Sequence, residues 1–282
     1  MEDDLKSKYE QLKAILAETG GLVVAYSGGV DSTLLLKVAA DVLGDRVLAV
    51  TATSETYPPT ELTEAVQLAQ QLGARHQTVD TDELEIDGFA DNPPERCYYC
   101  KTELFQKLLA IAQEQGLPAV ADGSNVDDMG DYRPGMRAGA ELGIRSPLRE
   151  AGLGKAEVRE LSKQLALPTW DKPSFACLAS RFPYGDHITS EKLRRVAAAE
   201  QVLRDLGFTQ VRVRHHGEIA RVELEPDEFQ TVIRPENRSS IVEALRKVGY
   251  LYVTLDLAGY RTGSMNEPLR RGSEQSGQRE RH

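Results

Sequence analysis

A glycine-rich turn between an apolar run and a helical pattern is the feature that most limits how this chain can fold. The run Leu22–Ala25 predicts a buried strand, and Val30–Leu43 has the spacing of a helix. Ser27, Gly28 and Gly29 lie between them. Two glycines let the backbone approach an anion closely, and the positive end of the helix then faces that anion. The junction therefore predicts a phosphate-binding turn that joins a strand to a helix.

Strand-like runs and helical patterns alternate along the first half of the chain. Runs at 47–50, 76–79 and 119–121 are separated by helical patterns at 60–72 and 99–115. Such alternation is typical of a parallel sheet with helices packed on its faces. We therefore expect an α/β, Rossmann-like domain over residues 1–180.

The order of elements changes after an irregular segment at 168–187. Helical patterns at 190–206 and 239–247 are combined with strand-like runs at 211–215, 219–224 and 251–255. This order predicts a smaller α+β domain over residues 181–269, which we expect to contribute to substrate binding and oligomerisation. The polar tail, residues 270–282, has the composition of a disordered segment.

The glycine-rich turn also carries the side chains that a nucleotide site needs. We expect ATP to be bound by Ala25, Ser27, Gly28, Gly29, Asp31 and Ser32. Asp31 can hold Mg²⁺ on the phosphates, or it can cap the helix. The alternative is an ordinary turn without a ligand. The common ATP motif G-x-x-x-x-G-K-[ST] is absent from the sequence.

The segment Ser27–Ser32 resembles the SGGxDS signature of the PP-loop pyrophosphatases, which include NAD and GMP synthetases, argininosuccinate synthetase and tRNA thiolation enzymes. The resemblance implies an adenine nucleotide alpha hydrolase-like fold and a reaction that releases pyrophosphate and adenylates a substrate. The stretch 122–128, Asp-Gly-Ser-Asn-Val-Asp-Asp, is similar to a stretch that lies beside the nucleotide in that superfamily, so Gly123 is a further nucleotide-site residue. The alternative for this stretch is an Asx-rich turn. Thr53 follows the second strand, at the sheet edge where such folds bind ligands.

The chain contains three cysteines, namely Cys97, Cys100 and Cys177. Together they can hold a [4Fe–4S] cluster with one open iron, which can bind an exogenous sulfide. They can also bind zinc, with a fourth ligand such as His187. Direct sulfur chemistry at Cys177, a redox C-x-x-C pair and unrelated buried thiols are the remaining interpretations.

Three segments make the resemblance more specific. Residues 131–135 (DYRPG), 174–185 (SFACLASRFPYG) and 257–263 (LAGYRTG) are similar to the LarE family. These are ATP-dependent sulfur transferases that make the nickel-pincer cofactor of lactate racemase. The resemblance covers nearly the whole chain except the tail. It implies that the carboxylates of a pyridinium-3,5-biscarboxylic acid mononucleotide are adenylated and converted to thiocarboxylates.

Some members of the LarE family sacrifice a loop cysteine as the sulfur donor, and Cys177 matches that position. The presence of Cys97 and Cys100 as well resembles the form of the family that holds an iron–sulfur cluster. In that form a separate sulfide donor is implied. The resemblance therefore leaves two sulfur sources open, and Cys177 has a catalytic or cluster-binding role in both.

The substrate implied by the resemblance has one phosphate and two carboxylates, and arginines suit both groups. We expect Arg212, Arg214 and Arg261 to bind the phosphate, and Arg133 and Arg181 to reach the carboxylates. Solvated surface arginines are the alternative. Glu200 lies on the helical pattern 190–206 and can bind a metal or orient an arginine, although surface helices often carry such a residue without a role.

The composition sets limits on the partners. A formal net charge of −10 opposes non-specific binding of nucleic acid, so a small ligand is favoured. No apolar run approaches the length of a membrane span, and the first residues do not resemble a signal peptide. We therefore expect a cytoplasmic homo-oligomer without a membrane segment. A tRNA thiolation enzyme, an ammonia-dependent synthetase and a nucleotide-sensing module remain alternative functions.

Overall fold

The computed structural model describes residues 2–130, 134–173, 176–261, 263–267 and 269, and these form two compact units. The first unit contains residues 2–89 and 94–173, and the second contains 90–93 together with the described residues from 176 onwards. Residues 176–180, predicted as the end of the first domain, therefore lie in the second unit. The different functions predicted for the two domains stay predictions.

The first unit contains a four-stranded parallel sheet in the order β3-β2-β1-β4. Its elements are α1 (Glu2–Thr19), β1 (Leu22–Ala25), α2 (Val30–Leu43), β2 (Val47–Thr53), α3 (Pro59–Gln71), β3 (Arg75–Asp80), α4 (Arg96–Glu114), β4 (Ala119–Ala121), α5 (Pro134–Glu141), α6 (Pro147–Glu150) and α7 (Lys155–Gln164).

The strand β1 explains why helices cover both faces of this sheet. Leu22 and Val24 pack into a core with side chains of α1, α2 and α7, whereas Val23 packs into another core with side chains of α4. Successive residues of a strand point to opposite faces, so an apolar run without alternation must be buried on both. The predicted α/β, Rossmann-like fold is confirmed.

The second unit contains a three-stranded sheet in the order β5-β6-β7. Its elements are α8 (Ser190–Asp205), β5 (Arg212–His216), β6 (Ile219–Glu223), α9 (Phe229–Val232), α10 (Pro235–Lys247) and β7 (Tyr252–Leu255). Strands β5 and β6 are antiparallel, and β6 and β7 are parallel. Side chains of α8 and α10 pack with the sheet in one core, which includes Leu203, Val213 and Leu245.

Three short helices, α5, α6 and α9, were not predicted. Helix α5 contains Gly135 and Gly139, and glycine is a poor helix former. It packs closely on α4, where a side chain at Gly135 would lie 2.8 Å from Lys101 Cγ. Tertiary packing therefore overrides the local preference in this segment. Among the described residues, no helix is long and apolar enough to cross a membrane.

Candidate active site

The predicted phosphate-binding turn lies between the end of β1 and the start of α2, in the first unit. Gly28 has φ +64°, and a Cβ there would lie 2.9 Å from Ala65 Cβ on α3. This residue must therefore be glycine for both conformational and steric reasons. Ser32 Oγ accepts a hydrogen bond from Ser27 N at 3.3 Å and lies 3.1 Å from Ser27 Oγ. The two predicted hydroxyls are thus adjacent within one turn.

Gly123 lies against the same turn from β4. A Cβ at this glycine would lie 2.9 Å from Ser32 N and 3.2 Å from the carbonyl carbon of Asp31. Two backbone segments therefore meet here with no room for a side chain. A side chain at residue 123 would therefore displace the backbone at the start of α2.

Asp31 does not cap helix α2. The cap position is Gly29, and no side chain forms a capping hydrogen bond there. Asp31 instead accepts a hydrogen bond from Asn125 Nδ2 at 3.1 Å and pairs with the ammonium group of Lys155. The carboxylate is 24% exposed and the lysine side chain 32% exposed. Solvent can therefore reach the carboxylate of Asp31, and its negative charge is already balanced by the ammonium group of Lys155.

Lys155 is a site residue that sequence reasoning missed. It is the first residue of α7, and its backbone N–H donates to Asp127 Oδ2 at 2.6 Å. A lysine at a helix N-terminus faces the positive end of the helix dipole, which is unfavourable unless an anion is near. This unfavourable position is a sequence signal that an anion lies near Lys155. In the structure that anion is the carboxylate of Asp31.

The stretch 122–128 forms an Asx-type network and also reaches the turn. Asp122 accepts hydrogen bonds from Ser124 N at 3.1 Å and from Ser146 Oγ at 2.8 Å. Asn125 Oδ1 accepts from Asp127 N at 2.9 Å, while its amide nitrogen donates to Asp31. The Asx-rich turn interpretation describes its local hydrogen bonds, and the bond to Asp31 places the stretch beside the predicted phosphate-binding turn, whose role stays a prediction.

Two further residues lie near the sheet edge. Thr53 is the last residue of β2, and its hydroxyl donates to the carboxylate of Asp80. Tyr57, which was not predicted, donates from its hydroxyl to Ser27 O at 2.7 Å. Burial raises the pKa of Tyr57, and nearby carboxylates of Glu61 and Glu64 raise it further. Tyr57 therefore remains a hydrogen-bond donor to the turn at neutral pH.

The three cysteines are divided between the units. Cys97 is exposed and Cys100 half-buried in the first turns of α4, which begins at Arg96, three residues before the predicted Tyr99. Cys100 Sγ lies 3.9 Å from Glu83 Oε1. Cys177 is half-buried in the second unit and immediately precedes a single 3₁₀ turn at Leu178–Arg181.

The structure gives these cysteines no metal site by itself. Among the described residues, no group of three His, Cys, Asp or Glu side chains could hold a metal ion. His187, the alternative zinc ligand, is exposed, and its Nδ1 lies 3.3 Å from Asp91 Oδ1.

A cluster of buried charges occupies the second unit. Arg181 and Glu200 have side chains with 0% exposure and form a two-pronged pair, with Nε to Oε1 at 2.7 Å and Nη2 to Oε2 at 3.0 Å. Glu200 also accepts from Arg204 at 2.9 Å and from Val213 N at 3.0 Å. Burial alone would raise the pKa of Glu200, but the charges of Arg181, Arg212 and Arg204 together lower it. Glu200 therefore orients arginines, one of the two roles considered for it.

The predicted phosphate-binding arginines have different surroundings. Arg214 forms a two-pronged pair with buried Glu223, at 3.0 and 2.8 Å, and donates to Ser180 O at 2.9 Å. Arg261 is half-buried and pairs with Glu267 at 3.1 Å. Arg212 is 5% exposed, and its guanidinium lies 5.2 Å from the centre of the Tyr260 ring. Burial and the charge of Arg181 lower the pKa of Arg212 to about 10.

The structure thus brings Arg181, Arg212 and Arg214 together in the second unit, because β5 carries two of them and the turn 178–181 carries the third. Arg133, predicted to reach a carboxylate, lies outside the described residues.

Comparison with known proteins gives two kinds of match. Residues 4–91 match the family model described as NAD synthase. An uncharacterized protein of Synechocystis sp. is 48% identical over 265 residues, which is 94% of this chain and 99% of that protein. The pyridinium-3,5-bisthiocarboxylic acid mononucleotide synthase of Lactiplantibacillus plantarum is 43% identical over 266 residues, or 94% of this chain and 96% of that enzyme. Both relatives therefore match residues of both units.

Proposed function

Because this chain belongs to the LarE family, that of the L. plantarum pyridinium-3,5-bisthiocarboxylic acid mononucleotide synthase, we propose that it is an ATP-dependent sulfur transferase. It adenylates a carboxylate of pyridinium-3,5-biscarboxylic acid mononucleotide and converts it to a thiocarboxylate, once at each of two ring positions. This reaction belongs to the biosynthesis of the nickel-pincer cofactor. The observation that carries the proposal is 43% identity to that synthase over 94% of the chain.

The first unit binds ATP in this proposal. The β- and γ-phosphates lie on the turn formed by Ser27, Gly28, Gly29 and Ser32, and the α-phosphate is left open to the substrate carboxylate. Support comes from the glycines of the turn at the start of α2, where backbone N–H groups and the positive end of the helix dipole favour an anion. The carboxylate oxygen attacks the α-phosphorus in line, and pyrophosphate leaves with the electron pair of the broken bond.

Asp31 and Lys155 form a switchable pair in this step. Mg²⁺ on the phosphates is a hard cation that prefers carboxylate oxygen, so Asp31 is its proposed ligand in the chain. If Asp31 held the metal, the ammonium of Lys155 would be available to the phosphates. The partial exposure of both side chains supports such an exchange of partners.

The second unit binds the phosphate of the substrate in this proposal. Arg212, Arg214 and Arg261 are the proposed ligands, and the lowered pKa of Arg212 supports an anion here. Burial beside another guanidinium disfavours the positive charge of Arg212, and a bound phosphate would offset that cost. Arg214 and Arg261 already pair with Glu223 and Glu267, so each can offer the phosphate only part of its guanidinium.

Sulfur reaches the activated carbonyl by one of two routes. In the first, the sulfur of Cys177 attacks the acyl adenylate and AMP leaves, which forms a thioester. Loss of the Cα proton and cleavage of the Cβ–Sγ bond of Cys177 then release the thiocarboxylate and leave dehydroalanine in the chain. In the second, Cys97, Cys100 and Cys177 would hold a [4Fe–4S] cluster, which would supply an iron site for an exogenous sulfide. The residue type supports this route, since such clusters are held by cysteine thiolates.

Iron and acid-labile sulfide content of anaerobically purified protein separates the two routes. About four irons per chain, lost when Cys97 and Cys100 are both changed to Ala, support the cluster. Protein without iron should instead lose the mass of H₂S from Cys177 after one turnover with ATP and substrate. Protein that contains no iron and keeps Cys177 intact while forming thiocarboxylate would contradict both routes.

Three other functions give different results in simple assays. A tRNA thiolation enzyme would shift tRNA in a gel at physiological salt, which the net charge of −10 opposes. An ammonia-dependent synthetase would keep its turnover when Cys177 is changed to Ser. A nucleotide-sensing module would bind ATP without steady release of pyrophosphate.

A further inference from the structure

Arg181 was predicted to reach a substrate carboxylate, but its contacts within the second unit suggest another task. Its Nε and Nη2 donate to Glu200, and its Nη1 donates to Ala176 O at 2.7 Å and to Cys177 O at 3.2 Å. The same Nη1 also lies 2.9 Å from Ser180 Oγ. All three nitrogens of the guanidinium are thus engaged by the protein.

A backbone hydrogen bond also holds the turn that follows Cys177. Cys177 O also accepts from Ser180 N at 3.0 Å, which closes the single 3₁₀ turn 178–181. A second such bond, from Phe182 N to Ala179 O, is 3.4 Å long. A short 3₁₀ segment of this kind is weak by itself, because isolated short helices gain little from their own hydrogen bonds. The side chain of Arg181 folds back along this turn and donates hydrogen bonds to the backbone of residues 176 and 177.

Glu200 links this turn to the rigid part of the unit. It lies on the sixteen-residue helix α8 and accepts from Val213 N on β5, so it is fixed by two long elements. Its side chain and that of Arg181 are both 0% exposed, which makes exchange with water unfavourable. A continuous series of hydrogen bonds therefore connects α8, through Glu200 and Arg181, to the backbone of Cys177.

We infer that Arg181 and Glu200 are positioning residues for sulfur transfer, which fix the backbone of Cys177 instead of binding the substrate. This inference rests on the proposed function for its chemical readout. A thiol or cluster ligand must be held closely for attack on an acyl adenylate, and small displacements of a reacting group reduce rates strongly. Adenylation, by contrast, needs the ATP turn of the first unit and the substrate arginines of the second, and in this inference it does not need the exact placement of Cys177.

The first test separates sulfur transfer from adenylation. Arg181→Lys and Glu200→Gln are compared with the wild type in anaerobic single-turnover reactions with ATP, Mg²⁺ and substrate, measuring pyrophosphate and thiocarboxylate. We expect thiocarboxylate formation to slow by about tenfold or more while pyrophosphate release stays within about twofold. The substrate concentration that half-saturates pyrophosphate release should not change. A tenfold rise in that concentration in Arg181→Lys, without a similar rise in Glu200→Gln, would instead make Arg181 a substrate ligand and overturn the inference.

The matched control is Arg204→Lys. Arg204 donates to the same carboxylate at 2.9 Å, but its described contacts do not include residues 176–180. It should leave the ratio of thiocarboxylate to pyrophosphate unchanged. If it lowers that ratio as much as Arg181→Lys does, the effect belongs to Glu200 and not to the turn, and the inference is wrong.

The second test needs neither substrate nor activity. Amide hydrogen exchange in residues 176–182 should increase by about tenfold in Arg181→Lys and Glu200→Gln, with little change in α10. Equal acceleration throughout the second unit, or none, would contradict the inference. Wild-type protein without substrate-dependent pyrophosphate release would reject the proposed function, whereas the exchange result would still decide on the positioning role.

A milder variant covers the case in which both substitutions prevent folding. Ser180→Ala removes one acceptor of Arg181 without leaving a buried charge unpaired. It should accelerate exchange in 176–182 by about two- to fivefold and lower the thiocarboxylate ratio in the same direction. Unchanged exchange and an unchanged ratio in this variant would count against the inference.

Discussion

Asp31 and Lys155 in the first unit form an ion pair that water reaches, whereas Arg181 and Glu200 in the second unit form one that water does not. The side chains of the first pair are 24% and 32% exposed, and those of the second are both 0% exposed. An ion pair that water reaches contributes little to the stability of the fold and can exchange partners. Breaking a buried pair leaves an unsolvated charge. The first arrangement suits a site that must accept a metal nucleotide, and the second suits a fixed support.

The largest expected effect is on stability. Glu200→Ala should lower the free energy of unfolding by about 3–5 kcal/mol, because Arg181 would remain buried without its partner. Asp31→Ala should lower it by about 1 kcal/mol or less, because Lys155 can turn to water. Urea denaturation of both variants and the wild type measures the difference. Similar losses in the two variants would remove the contrast between the pairs.

The second effect is on catalysis and runs in the opposite direction. Asp31→Ala should slow pyrophosphate release by about a hundredfold or more, because the proposed magnesium ligand is lost. Asp41→Asn is the control, since this exposed residue lies on the same helix and pairs with Lys37. A pyrophosphate assay with saturating ATP gives both rates. Full activity in Asp31→Ala would refute the assignment of the ATP site.

The sequence predicted the strand and helix around the first candidate site better than it predicted the contacts of the charged residues. The turn 27–32 could be located because phosphate binding depends on adjacent residues, and its strand and helix begin and end where the pattern indicated. Lys155 is far from Asp31 along the chain, so their contact depends on tertiary structure. Its position at a helix N-terminus was a usable signal.

Glu200 shows how a charged residue can be misjudged from sequence. It lies on the same face of α8 as Val196 and Leu203, three to four residues away, and those neighbours are buried. A glutamate on an apolar helix face is either a partner of a buried cation or a destabilising defect. The pattern indicated burial, but only the fold identifies Arg181 as the partner.

A third prediction tests how tightly the first site is built. Gly123→Ala should weaken ATP binding and lower stability, together by about 1–3 kcal/mol, because the new Cβ would lie 2.9 Å from Ser32 N. Gly139→Ala is the matched control, since its nearest contact is Phe105 at 3.4 Å and it lies in helix α5. That variant should be neutral or slightly stabilising. Isothermal titration with ATP and thermal unfolding report the two quantities, and equal behaviour of the variants would mean that the turn tolerates displacement.

The smallest expected effect concerns the hydroxyl of Tyr57, which donates to the turn from outside it. Tyr57→Phe removes the hydrogen bond to Ser27 O at 2.7 Å and should weaken ATP binding by about 1 kcal/mol, or roughly fivefold. Because burial raises the pKa of Tyr57, the hydroxyl stays protonated, so the difference between variant and wild type should be constant from about pH 6 to about pH 9. Tyr252→Phe is the control, as Tyr252 is 57% exposed in the second unit. An effect that disappears on raising the pH within this range would mean that the hydroxyl ionises and is not the buried donor described. If Tyr57→Phe instead impaired the enzyme as strongly as Asp31→Ala, the first site would be held as rigidly as the buried pair in the second unit. The two ion pairs would then differ only in exposure.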